Sequence, residues 1–227
     1  MSYSRNSRKN LLMESLQDYF KNPENIIKII PIISSSRTLS LRVIDWFVTN
    51  YSKKFNTSYI INNTTNTIIT EGNYDPYYCS EFVVYLNYRL QLKAYSKDNF
   101  DPFCRVDSEK LHERIDFYYN KDNIIDYIKK NNLDLPNIMT YLNEQENNFF
   151  TTTSGQLNFF RWIIKNNIID YIMKNLKKIE TDMNKSYKEH YSNSVKKKKR
   201  RKKRHELSVS ASKSLSKSNV KVVLTFN

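Results

Sequence analysis

Glycine is almost missing from this chain: its 227 residues contain two, Gly72 and Gly155. A phosphate-cradling P-loop and a dinucleotide-binding turn both need clustered glycines, so both are excluded. Cysteine is as scarce, with Cys79 and Cys104 alone, too few for a disulfide framework. They do not form a zinc half-site, and His112, His190 and His205 are the only histidines to join them, which argues against a structural zinc. No HExxH, GxSxG or paired CxxC motif occurs. Cys104 lies between Phe103 and Arg105, and an arginine can lower a thiol pKa, but no histidine is close in sequence to act as its base. The carboxylates Asp75, Glu81, Asp101 and Asp116 are scattered, and nothing in their spacing singles them out as a nuclease centre. The reading is a non-enzyme with no cofactor and no metal.

Long apolar runs are absent too. Nothing approaches the roughly 18 consecutive apolar residues of a membrane span, and no apolar core follows the polar, basic start MSYSRNSRKN. The chain reads as soluble, intracellular and reduced, with no membrane partner.

What is present is enough for a core. Hydrophobic residues make up 39% and aromatics 14%, with 17 Tyr and 12 Phe. That suits one domain of ordinary size with tails. The bias toward Asn, Ile, Lys and Tyr fits an AT-rich coding sequence, so the many Asn residues read as compositional. The net charge of +14 is unevenly spread. From Val195 to Asn227 there are 12 Lys and Arg against one acid, Glu206, or +11; the remaining 25 basic and 22 acidic residues leave +3.

The most regular stretch is Thr151 to Tyr191. Leu157, Phe160, Ile164, Ile168, Tyr171, Ile172, Leu176, Ile179, Met183 and Tyr187 recur in steps of three and four, which puts one apolar stripe on one long helix. Thr153 is placed as its N-cap, with Gln156 where a capping-box partner belongs. Upstream, the spacing predicts a helix over Leu11–Phe20, stopped or restarted by Pro23, and helix or strand over Ile26–Ile33 up to Pro31. A further helix follows a cap at Thr38 or Ser40, with Leu41, Ile44, Phe47, Val48 and Tyr51 on one face. Tyr59–Ile61 and Thr67–Thr70 flank NNTTN as a β-hairpin. The segment SEFVVYLNYRLQLKAYS reads as a helix capped by Ser80 or Asp75, with a strand as its alternative. Asp101-Pro102 starts a turn between two core phenylalanines, and ERIDFYY is a strand candidate. Asp122 caps a short helix to Lys130, and Pro136 opens another to about Glu146. The expected architecture is mainly α with a small β-hairpin (α+β). A disordered basic arm covers 1–10, one domain covers 11–191, and a long C-terminal helix leads into a disordered basic tail over 192–227.

Three words in the body are more specific than composition explains: SLRVIDWFVTNYSKK at Ser40–Lys54, YLNYRLQLKAYSKDNFDPFCR at Tyr85–Arg105, and TTSGQLNFFRWIIKNNIIDYI at Thr152–Ile172. Together they resemble a largely uncharacterised protein family of the nucleocytoplasmic large DNA viruses, including the giant viruses of amoebae and the chlorella viruses, with a mimivirus-like composition. The resemblance covers Ser40 to Leu176. It implies a viral origin, a place in the cytoplasmic factory of the infected host cell and packaging in the virion. It carries over no catalytic residues. Within these words, Asp45, Trp46 and Phe47 read as core and cap residues, since Trp and Phe at helical spacing usually pack.

The candidate binding site is the run Lys196, Lys197, Lys198, Lys199, Arg200, Arg201, Lys202, Lys203 and Arg204. Mutual repulsion keeps such a segment extended until an anion neutralises it. Nucleic acid does so by releasing counterions, which makes binding sequence-independent and steeply salt-dependent. A nuclear import signal and a solvated tail are the competing readings. Phosphates on the serines between Ser208 and Ser218 would lower the charge and release the ligand. Arg89, Lys93 and Arg105 form a second candidate basic face, or else pair with local acids such as Asp101. The expected partner is DNA or RNA, held by the tail, while the domain docks a viral protein or a second copy of itself. The rival reading is a protein-interaction or transcription-accessory module whose basic run is an address.

Overall fold

The computed structural model describes residues 2–34, 39–69, 74–103 and 114–197, with side chains from Arg8 to Glu189 within those ranges. The chain divides into one compact unit over Met1–Asn184 and a second over Lys185–Asn227. The described fold is mainly helical with two small antiparallel sheets, as the hydrophobic periods indicate.

Helix α1 (Ser2–Phe20) starts well before Leu11, through the segment read as a disordered arm. No Pro or Gly lies between Ser2 and Lys21, so no backbone breaker opposes the extension. Helix α2 (Pro23–Ile33) restarts at once: Asn22 accepts the Glu24 N–H at 3.0 Å, and Pro23 takes the first helical position. It runs through Pro31 to Ile33, three residues beyond the expected end before Pro31. Pro31 lies in the final turn, so little helix remains for its ring to disrupt, and Ser34 N–H closes the end on the Ile30 carbonyl.

Ser40 caps the next helix by accepting the Val43 N–H. Helix α3 (Leu41–Trp46) passes through a π-helical turn (Phe47–Tyr51) into α4 (Ser52–Lys54). The hairpin is formed by β1 (Ser58–Asn62) and β2 (Thr67–Ile69), and β3 (Cys79–Val83) adds to it in the order β2-β1-β3. The helix expected from Ser80 therefore begins later, as α5 (Val84–Tyr95). Cross-strand pairing of Phe82 with Tyr59 outweighs the fourfold spacing of Phe82, Leu86 and Leu90. Neither predicted cap acts there: Asp75 accepts the Tyr77 N–H in a local turn, and Ser80 bonds Asn63 across the sheet.

After a short 3₁₀ turn (Lys97–Asn99), Phe100 enters the core at 1% exposure. The strand candidate in ERIDFYY is β4 (Ile115–Tyr118), and its partner β5 (Phe149–Thr152), for which the spacing gives no strand, forms just before the Thr153 cap. Helix α6 (Lys121–Lys130) is capped by Asn120, which accepts the Asn123 N–H at 3.0 Å, and not by Asp122. Helix α7 (Pro136–Glu144) opens on Pro136.

The expected single long helix is two: α8 (Ser154–Lys165) and α9 (Ile168–Lys197). Thr153 caps α8 by accepting the Gln156 N–H at 3.1 Å. The Gln156 amide reaches across to the Pro102 carbonyl and accepts from the Thr152 hydroxyl. From Ser154 to Ile164 every residue of α8 except Gln156 and Arg161 is buried. A helix covered on all sides is the hub of a fold, and α1, α2 and the 3₁₀ turn pack around this one. Gly155 is where that packing is tightest: a Cβ there would lie 2.8 Å from the Asp98 carbonyl oxygen.

The break falls at Asn166-Asn167. Asn167 takes φ 52, a left-handed conformation that asparagine tolerates better than most residues. The hairpin holds it. Tyr59 donates its hydroxyl to the Asn166 carbonyl at 2.7 Å, and the Asn167 amide donates to the Asn66 carbonyl at 3.0 Å.

Candidate nucleic-acid interface

The basic run begins as α9 ends. Lys196 and Lys197 occupy its last backbone positions. Their side chains, and Lys198 to Arg204 entirely, lie outside the described residues, as do Cys104, Arg105 and the serines between Ser208 and Ser218. Of the second candidate face, Arg89 and Lys93 are both exposed on α5, four residues apart and so on one side of the helix. Neither makes an ion pair among the described residues; Leu86 and Leu90, both exposed, share their part of the surface.

A second basic feature lies on the other side of α5. There Gln91 and Tyr95, two positions out of phase with Arg89 and Lys93, face a cleft of about 590 Å³. Helix α1 supplies Arg8, Leu11, Leu12 and Ser15 to it, and α8 supplies Asn158, Arg161, Trp162 and Lys165. Both sets follow helical spacing, each marking one face. Among the described residues no carboxylate lines the cleft. The half-buried Arg161 sits against neutral oxygens: Nη1 donates to Ser15 Oγ at 2.9 Å and Nη2 to Asn158 Oδ1 at 2.7 Å. Asn158, 2% exposed, is oriented in turn by its donation to the Asn99 carbonyl at 2.9 Å. The Lys165 ammonium lies 5.4 Å from the centre of the Tyr19 ring. The sequence signal for this site was Asn158, Arg161 and Lys165 along an otherwise apolar helix. Its α1 and α5 walls had none.

The larger cavity, about 700 Å³, lies between α1, α2, β4 and α6. Its walls are mostly apolar, and its charges are occupied: Lys21 pairs with Asp18, and Asp116 accepts from the Thr151 hydroxyl. Of the other scattered acids, Asp75 and Asp101 each accept a backbone N–H two residues on, and Glu81 is exposed on β3. Among the described residues no three His, Cys, Asp or Glu side chains gather as a metal site, and no helix is long and apolar enough to cross a membrane. Burial pushes the Tyr19 and Tyr119 hydroxyls up to about 12 and raises those of Tyr59, Tyr141 and Tyr171 as well, so all five stay protonated at neutral pH. Of the residues read as core and cap, Phe47 is fully buried, and Trp46 donates its indole N–H to Asp182 on α9 at 3.1 Å. Lys54 pairs with that same carboxylate.

The sequence matches a family of unknown function, DUF7197, in two slightly overlapping segments, residues 3–137 and 134–225. It is also 36% identical over 164 residues to the Uncharacterized protein L507 of Acanthamoeba polyphaga mimivirus, an alignment that takes in 72% of this chain and 49% of that protein. The chain thus spans about half the length of the curated relative it matches. No solved structure matches it. The chain belongs to DUF7197, and its relative is a viral protein.

Proposed function

We propose that this member of the family is a non-enzymatic viral protein that binds DNA or RNA electrostatically through Lys196–Arg204, in the cytoplasmic factory or the virion core. One observation carries the reading: the last 33 residues hold a net charge of +11 and the preceding 194 only +3. A polycation of nine consecutive residues is the composition that condensed counterions reward, because each phosphate neutralised releases them. The body then docks a viral protein or a second copy. We further propose that the family extends beyond mimivirus-type members to chlorella viruses and other nucleocytoplasmic large DNA viruses. Recovery of the Ser40–Lys54 and Thr152–Ile172 words in those genomes would support that, and their absence would oppose it.

The test is binding of labelled duplex and single-stranded oligonucleotides across salt concentration. The full chain is compared with a full-length variant in which all nine residues from Lys196 to Arg204 become Gln. The expected loss of salt slope is roughly 8 on duplex and 6 on a single strand if every cation engages a phosphate. Equal affinity and slope for the two proteins would instead leave the run as an address for nuclear import.

A further inference from the structure

We propose that the cleft between α1, α5 and α8 is a second, tail-independent site that grips the phosphodiester backbone of a single nucleic-acid strand through Arg8, Arg161 and Lys165. This extends the nucleic-acid reading of the chain while resting on different residues from those of the tail.

Charge is the first ground. Among the described residues the cleft is lined by three cations and no acid, in a body whose net charge is only +3. Three lysines elsewhere in the body are paired, Lys21 with Asp18, Lys28 with Glu24 and Lys54 with Asp182. Among the described residues Arg161 is hydrogen-bonded to the Ser15 and Asn158 oxygens and to no carboxylate. A partly desolvated cation without a counter-ion is unfavourable, and an arriving anion relieves it. Two of its five N–H donors are committed, which leaves three for the oxygens of a phosphate.

Preorganisation is the second. The guanidinium is held by Asn158, itself buried and fixed by the Asn99 carbonyl, on the most deeply packed helix of the fold. Holding a ligand group in place before the ligand arrives removes much of the entropic penalty of binding. Arg8 and Lys165 stand exposed at the rim, where they meet an anion first.

The third ground selects the ligand. Of the two rings that line the cleft, Trp162 is buried and Tyr95 half-buried. Trp162 and Tyr95 pack against Phe100, and the Trp162 indole donates to Asn87 at 2.7 Å. Phosphate is recognised and base identity is not, so binding is indifferent to sequence. Arg161 is half-buried, so a ligand must enter the cleft to meet it, which a single flexible strand does more readily than a stiff duplex.

The experiment uses the full-length chain with Lys196–Arg204 changed to Gln, so that the tail cannot mask the cleft. The probe is oligothymidine of about 20 nucleotides, longer than a typical single-strand site, with ATP and inorganic phosphate as competitors. Retained binding with a salt slope of about 2 is expected, falling to near zero in the further variant R8Q/R161Q/K165Q. Should that variant fail to fold, R8Q/K165Q removes only exposed side chains and is expected to lower the slope by about 1.4. If the unaltered chain binds and the tail-neutral chain does not, the tail reading stands and the cleft proposal falls. If tail neutralisation changes nothing and the cleft substitutions abolish binding, the cleft stands and the tail reading falls. No binding by the unaltered chain overturns both. If ATP or phosphate competes at the same concentration as the oligonucleotide, the cleft takes a small phosphate ligand and the strand proposal is overturned.

Discussion

Helices α8 and α9 are neighbours in sequence, and one hydrophobic period runs through both, yet they occupy opposite environments. α8 is covered on nearly every side, and the polar exceptions lie on the faces that reach Pro102 and the basic cleft. α9 buries Ile168, Ile172, Ile179 and Met183 along one stripe and turns Met173 and Tyr187 outward. The difference teaches that an apolar stripe fixes which face of a helix packs, while the residues between the stripes decide how many sides are covered. Phe159, Trp162 and Ile163 fill the gaps in α8; Lys174, Lys177 and Lys178 fill them in α9.

Substitution in the stripe of α8 has the largest expected effect. Phe160→Ala removes a fully buried ring and should cost about 3–5 kcal/mol, read as a denaturant midpoint shift at constant slope. Gly155→Ala forces a methyl to within 2.8 Å of a backbone carbonyl and should cost about 1–3 kcal/mol, as overpacking does. A neutral result there would show that the packing around the start of α8 is slack.

At the boundary between the two helices, Asn167→Ala should destabilise by about 1–2 kcal/mol, because alanine resists the left-handed conformation. Asn167→Gly removes that resistance and separates strain from the lost bond to Asn66. On the α9 side effects shrink. Asp182→Ala breaks the contacts with Trp46 and the largely exposed Lys54 and should cost about 1 kcal/mol. Met173→Gln, on the open face of α9, should change stability by under about 0.5 kcal/mol in thermal melts. Equal losses at Phe160 and Met173 would erase the contrast between the helices.

These residues also show what could be read in advance. The Thr153 and Ser40 caps, the Tyr59–Ile61 hairpin and the Pro136 start depend on neighbours a few positions away, so local spacing sufficed. The Asn166-Asn167 break did not announce itself, because the apolar period continues in phase across it. What fixes it is the distant hairpin, through Tyr59 and Asn66. β5 was missed for a similar reason: its partner β4 lies some 35 residues away, as in the pairing of Asp116 with Thr151. The cleft joins α1, α5 and α8 from across the chain, so only its α8 wall could leave a local trace. The basic run, by contrast, is its own signal.

That run is the centre of the functional account, and salt dependence addresses it most directly. Oligothymidine affinity measured from low to moderate salt on the full-length chain should give a slope of roughly −8, collapsing to about −2 when Lys196–Arg204 become Gln. A slope that does not change with those nine substitutions would contradict the account and move the affinity out of the tail.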